Sequence, residues 1–401
     1  MKKYTKYSLF LLAFGAFYAC SNDDSKPEQP ILDPLISIKI ASDFAVERYG
    51  VTEINPEVTI ENAEEKTVSY TWSIKVTRND GVAKDSIIGD SQKLLFISSE
   101  AANYVLDFTV TVDKIVKKAS TKVSVSETGK TYVSKALSLL DYVPAPINSL
   151  SSYDFATKAE VMAKVQSDLE NGESVPLGTF GGYIVTAFDH TVINTYGKRD
   201  FTVLMDNIVK TAPAGIYVAY DANKNGIPDD TEWYEIAGSE YYKSSTVKNY
   251  EMTYFKPDRN KAAVTGELSW QFDKEYIKWT DNKNASGTIT KVVKFRSSNY
   301  YPAWMADSYT LKGTKLIIPV KDVSDGLGTT FNVGTFEWGY GGIKDASIDI
   351  SWAVDKEGKK VHLPGIDFVK VYIPAFVEMG ANTLLTNAFV VAQDLSFIKN
   401  K

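Results

Sequence analysis

Two stretches of strict alternation narrow the fold class. Between Thr67 and Thr77, Val68, Tyr70, Trp72, Ile74 and Val76 fall on one side, and Thr, Ser and Lys residues take the other. Tyr104, Leu106, Phe108, Val110 and Val112 repeat the pattern. A period of two belongs to a strand with one buried and one wet face, whereas a helix would scatter these side chains around its axis. The turn-forming Asn79-Asp80-Gly81 follows the first run. Residues 36–130 therefore read as a small immunoglobulin-like sandwich. The full 401 residues, 44% hydrophobic and 12% aromatic, are too rich in core-forming side chains for disorder and too long for one ordinary domain.

Pro144-Ala145-Pro146 marks a linker. A single helix is expected from about Asp154 to Asn171, with Asp154 as cap, Ala159, Met162, Ala163, Gln166 and Leu169 on one side, and Asn171-Gly172 as the stop. From Pro176 to Phe397 the chain returns to short strands rich in Gly, Tyr and Trp, with no fixed-period repeat. The spacing suits one large jelly-roll-like β-sandwich over residues 145–401. The fold class is all-β with one helix.

The N-terminus carries an address. Lys2, Lys3 and Lys6 precede a short apolar run, Leu9 to Phe14, and Ala19-Cys20 closes it. The run is too short for a permanent membrane helix and reads as a secretory signal over residues 1–19. A cysteine directly after a small residue at the end of such a run resembles a bacterial lipoprotein signal, which implies that Cys20 becomes a lipid-carrying N-terminus. Ser21-Asn22-Asp23-Asp24-Ser25 resembles the export tag of Bacteroidetes surface lipoproteins. Residues 20–35, with Pro27, Pro30 and Pro34, would then be a stiff tether on an outer-membrane lipid anchor.

Composition excludes several classes of function. A formal charge of −6 argues against a nucleic-acid partner, whose phosphates demand a basic face. One cysteine rules out a disulfide framework or a thiolate metal cluster. The two histidines, His190 and His362, stand apart in the sequence, and each reads as a structural residue. Acid pairs such as Asp229-Asp230, or Asp349 with Asp367, could serve a glycosidase only at a set separation, which a sequence with 50 acidic residues does not reveal. Gly181-Gly182 and Gly339-Tyr340-Gly341-Gly342 lack the Lys or helix start of a phosphate loop and read as turns. The expectation is a binding protein rather than an enzyme.

One motif carries metal chemistry. Asp221-Ala-Asn223-Lys-Asn225-Gly226-Ile227-Pro228-Asp229-Asp230-Thr-Glu232 matches a calcium loop at every specified position. Calcium needs six to eight oxygens, which Asp221, Asn223, Asn225, the Ile227 carbonyl, Asp229 through water and Glu232 would supply. The flanks Ile216–Tyr220 and Trp233-Tyr234 are strand-like, so the loop reads as a staple between strands rather than an EF-hand. The competing reading is an Asx-rich turn held by its own hydrogen bonds. Among the aromatic residues, Trp304, Trp338 and Tyr340 are the candidate ligand contacts, Trp304 beside Pro302 and the other two at the glycine loop. Trp352, alternating with Ile350 and Ile348, reads as core.

The Tyr70-x-Trp72 strand and Asn103-Tyr104 resemble PKD-type domains, a family of surface spacers. Leu177-Gly178, Phe180-Gly181-Gly182-Tyr183, Phe188-Asp189-His190, Trp233 to Ser239, Tyr301-Pro302-x-Trp304, Trp338-Gly339-Tyr340 and Leu363 to Phe368 resemble a group of Bacteroidetes cell-surface lipoproteins. That resemblance spans about residues 141–370. It implies a surface protein encoded beside TonB-dependent receptors, often in cobalamin-uptake clusters, that captures a corrinoid. A glycan-binding module or adhesin is the alternative, and a glycoside hydrolase ranks third.

Overall fold

The computed structural model describes residues 32–64, 66–77, 83–195, 197–206 and 211–398. The signal, Cys20, most of the tether and the Asn79-Asp80-Gly81 turn lie outside the described residues.

The alternating runs are the central strands of a five-stranded sheet, ordered Asp43–Glu47, Ile115–Ser126, Asn103–Val112, Val68–Thr77 and Ala83–Gly89. Neighbours are antiparallel except Asp43–Glu47, which runs parallel to Ile115–Ser126. Trp72 sits opposite Phe108, their rings 4.6 Å apart. Two short strand pairs, Leu35–Lys39 with Glu57–Glu61 and Thr52–Ile54 with Leu94–Phe96, bring Ile36, Ile54, Leu94 and Phe96 into the same core. The buried Trp72 indole N–H would be costly without an acceptor, and it donates to the carbonyls of Ser91 (3.0 Å) and Gln92 (3.3 Å).

The rest is a second all-β assembly. A six-stranded sheet, ordered Ser138–Val143, Tyr183–Ile193, Gly365–Tyr372, Gly215–Ala219, Trp233–Ile236 and Ala353–Val354, shares a core with a four-stranded sheet. The latter is ordered Val175–Gly178, Asn387–Asp394, Phe201–Met205 and Ser347–Ile348. Ile184, Ile216 and Val371 from the first sheet meet Leu177, Val203 and Phe389 from the second. Strand Ser138–Val143 belongs to this sandwich, so the assembly starts before the expected residue 145.

The expected single sandwich carries a further four-stranded antiparallel sheet, ordered Ser286–Val292, Gln271–Asp281, Val247–Phe255 and Ser308–Lys315, in which the last strand returns beside the first as in a Greek key, with its own core. That core is rich in tyrosine because each hydroxyl finds a partner. Tyr254 donates to Phe180 O (2.9 Å), Tyr309 to Pro144 O (3.0 Å), Tyr301 to Ala306 O (2.6 Å) and Tyr250 to Asp281 (2.6 Å), while Tyr300 accepts from Val292 N (3.3 Å).

The helix spans Lys158–Asn171. Its cap is Thr157, whose side chain accepts from Glu160 N while the Glu160 carboxylate takes Thr157 N, a reciprocal capping box. Gly172 ends it in the left-handed region (φ 72). Val161, Val165 and Leu169 are buried, and Gln166 bonds Leu139 N and Leu137 O along the sheet edge.

Candidate functional site

Loop 221–232 connects strand Gly215–Ala219 to strand Trp233–Ile236 and is closed by hydrogen bonds of its own. Asp221 accepts from Asn225 N (3.0 Å) and Gly226 N (2.8 Å), and the Asn223 and Asn225 amides both reach Asp229 Oδ2, at 2.6 and 3.1 Å. Glu232, buried, turns its two oxygens to Ala222 N (3.0 Å) and Asp229 N (3.1 Å). Lys224 and Gly226 take left-handed backbone (φ 58 and 75), which folds the chain back tightly. The side chain of Ile227 is exposed. Asp367 on the central strand accepts Asp221 N (2.8 Å) and so anchors the loop to the sheet. The donor set is oxygen-rich, as calcium requires. In this structure those side chains bond to one another and to backbone amides, in the manner of an Asx-rich turn.

The aromatic candidates separate. Tyr340 is a core residue, not a surface contact: it packs on Phe336 at 4.8 Å, and its hydroxyl accepts from Glu240 N (3.2 Å). Gly339, at φ 84, lies so close to Gly238 that a Cβ would overlap its Cα. Trp304 is half-buried against the large core, its indole nitrogen without a hydrogen-bond partner among the described residues. Trp338 is 38% exposed and meets Trp352 at 4.7 Å, with the Arg199 guanidinium 4.3 Å from the Trp352 ring centre. Trp352 is thus half-buried at the surface rather than deep in the core.

A cleft of about 680 Å³ lies between the N-terminal sandwich and the large one, within the usual range for small-molecule sites. One wall is apolar, with Ile74, Ile87, Ile88 and Leu95 from the first sandwich. The other is polar: Lys198, Arg199, Lys360 and His362 come from loops of the large sandwich. The carboxylates beneath are engaged. Asp200 accepts from Thr195 N (2.8 Å) and Ile350 N (2.9 Å), and burial raises its pKa well above the usual range. Asp349 caps the turn at Ser351 N (2.9 Å) and faces Arg199 at 3.4 Å. The acid pair Asp349 and Asp367 is thus tied into structure, since Asp367 also accepts the Thr191 hydroxyl (2.6 Å).

His190 stands beside the cleft. Its two ring nitrogens contact Asp189 (2.7 Å) and Asp394 (2.9 Å), and Tyr49, Tyr132, Phe188 and Phe397 surround the ring. Burial lowers its pKa, but hydrogen bonds and charge from Asp394 and Asp189 outweigh this and the net shift is upward. Tyr49 belongs to the first sandwich, so this structural histidine sits where the two assemblies meet. His362 faces Asp90 across the same junction at 3.7 Å.

The sequence reading missed the cleft cations. Its available signal was two dibasic pairs, Lys198-Arg199 and Lys359-Lys360, in an acidic chain.

No family model matches the chain, and no curated protein matches it. Among solved structures, a PKD domain from human KIAA0319 is 17% identical over 27% of this chain and 95% of its own length, with a TM-score of 0.20. A SusE-like protein is 10% identical over 89% of this chain and 96% of its own, with a TM-score of 0.17. A quinonprotein alcohol dehydrogenase-like protein from Bacteroides thetaiotaomicron is 12% identical over 62% of this chain and 47% of its own, with a TM-score of 0.16. At TM-scores of this size the likenesses carry no argument about function.

Proposed function

We propose that the chain is a non-enzymatic surface lipoprotein, anchored in the outer membrane through Cys20, that holds a small molecule in the cleft between its two sandwiches. The observation that carries this reading is the cleft itself, walled by side chains from both assemblies. Its buried carboxylates are occupied by backbone amides and by His190, which suits binding better than acid–base chemistry. The proposed ligand is a corrinoid passed on to a TonB-dependent receptor. The apolar wall suits the methyl-rich face of such a ring, and the cationic wall suits the phosphodiester of its nucleotide loop. A whole corrinoid exceeds the cleft volume, so one edge of it would be held.

Isothermal calorimetry of cobalamin and cobinamide against the detergent-solubilised full chain tests this. Micromolar or tighter binding is expected. No heat with either corrinoid overturns the corrinoid assignment.

Trp338, 38% exposed and backed by the half-buried Trp352, favours a second reading, a glycan platform, because sugar faces stack on exposed indole rings. A glycan-array signal lost in Trp338→Ala would establish it. Calcium enters the proposal as a staple on loop 221–232, with Asp221, Asn223, Asn225, the Ile227 carbonyl, Asp229 and Glu232 as donors. Any such ion would compete with the loop's own hydrogen bonds for those oxygens.

A further inference from the structure

The cleft lining sets four basic side chains, Lys75, Lys198, Arg199 and Lys360, against four acids, Glu100, Asp200, Asp349 and Asp394, and what matters for a ligand is which of them are left without a partner. Lys75 reaches it from strand Val68–Thr77, Lys198 and Arg199 from the loop after strand Tyr183–Ile193, and Lys360 from the stretch before Gly365–Tyr372. Lys75, Lys198 and Lys360 are exposed and form no ion pair among the described residues. The acids on the same surface are committed elsewhere: Asp349 to Arg199 and Ser351 N, Asp394 to His190 and Ser396 N, Asp200 to two backbone amides. Glu100 is the one exposed acid in the lining. In the same lining Ile87, on the strand beside Lys75, is 53% exposed, a large apolar side chain left in water.

An apolar wall edged by Lys75 from its own sandwich and met by Lys198 and Lys360 from the other suits one kind of ligand. We infer that the cleft receives a soluble amphipathic anion, its apolar body against Ile74, Ile87 and Leu95 and its carboxylate, sulfonate or phosphate group held by Lys75, Lys198 and Lys360. The inference rests on the reading that the cleft is the binding site, and it adds the ligand's charge. Each ammonium group that reaches the anion adds to its hold, and screening by salt weakens all such contacts together.

A matched pair of fluorescent probes tests it on the full chain. 1-Anilinonaphthalene-8-sulfonate carries the anion, and N-phenyl-1-naphthylamine is the same ring system without it. The sulfonate is expected to bind at least about tenfold more tightly, a gap of about 1.4 kcal/mol, and to weaken as salt is raised. Lys75→Gln/Lys198→Gln/Lys360→Gln should erase that gap and leave the neutral probe unchanged. Ile87→Asp, an exposed substitution that the fold tolerates, should weaken both probes.

Equal affinity for the two probes, with both lost in Ile87→Asp, overturns the anion inference and leaves the cleft reading standing. Binding of both probes unaffected by Ile87→Asp, or no binding of either, overturns the cleft reading and the inference with it. Octyl phosphate below its micellar concentration should displace the sulfonate probe, and phosphatidylglycerol vesicles should not. Displacement by the vesicles would overturn the assignment to a soluble ligand.

Discussion

Protonation of His190 should stabilise the protein, and the structure sets both the sign and the size of the effect. Its two ring nitrogens each face a carboxylate, at 2.7 Å and 2.9 Å. Only the imidazolium can donate to both; the neutral ring turns a lone pair towards one of them. Losing the proton therefore forfeits one charge-assisted hydrogen bond, worth about 1.5–3 kcal/mol. Asp189 is 42% exposed, so if its bond is the one lost the effect falls at the lower end. Because the folded pKa is raised above 6.5, the contribution is complete below pH 6.5 and fades as pH rises through the folded value.

The assay is thermal unfolding of wild type and His190→Gln from about pH 5 to pH 8. Lys248, pushed down to about 8 by burial, begins to titrate at the top of that window, in both proteins, and with opposite sign: its depressed pKa makes stability rise with pH from about 8 to 10.5. Raised carboxylates such as Glu235 affect both proteins alike, so the difference between the two curves isolates His190. A gap of a few degrees at pH 5 that narrows by pH 8 is expected. A gap independent of pH would refute the reasoning.

Other outcomes follow from named contacts. Calcium should raise the melting temperature of wild type and chelator should reverse it; an unchanged melting temperature would remove the metal from the account. Asp221→Ala should be destabilised even in chelator, by about 1–2 kcal/mol, because Asp221 also holds Asn225 N and Gly226 N. Cys20→Ser should release the protein from the membrane fraction, which fractionation checks. Tyr254→Phe should cost about 1–3 kcal/mol in a denaturant titration, since Phe180 O would lose its buried donor.

Fold class was readable where one local rule decides the outcome. The alternation through Trp72 and Phe108 demands strands whatever surrounds it, and the structure buries both side chains. The helix was readable too, but its start was misplaced at Asp154. Thr157 and Glu160 spell the capping box that sets it. The tyrosines were harder: Tyr309 and Tyr340 look like surface residues until the partners of their hydroxyls are known, and those partners, Pro144 O and Glu240 N, lie at least 100 residues away in sequence. Tyr241 is buried and Tyr242 is 69% exposed, although both sit in the same dipeptide. The extra four-stranded sheet was invisible as a separate layer, because its strands alternate just as those of the sandwich do. The cleft could not be read at all, since Lys75 and Lys360 meet only once two separate assemblies dock.

The account stands or falls on whether ligand occupies the space between the sandwiches. Calorimetric titration of cobalamin into wild type and into Ile87→Trp, whose indole would fill the apolar wall, tests this directly. The account expects micromolar or tighter affinity in wild type, weakened at least about tenfold by the substitution. Equal affinity in the two proteins would place the ligand elsewhere and contradict it.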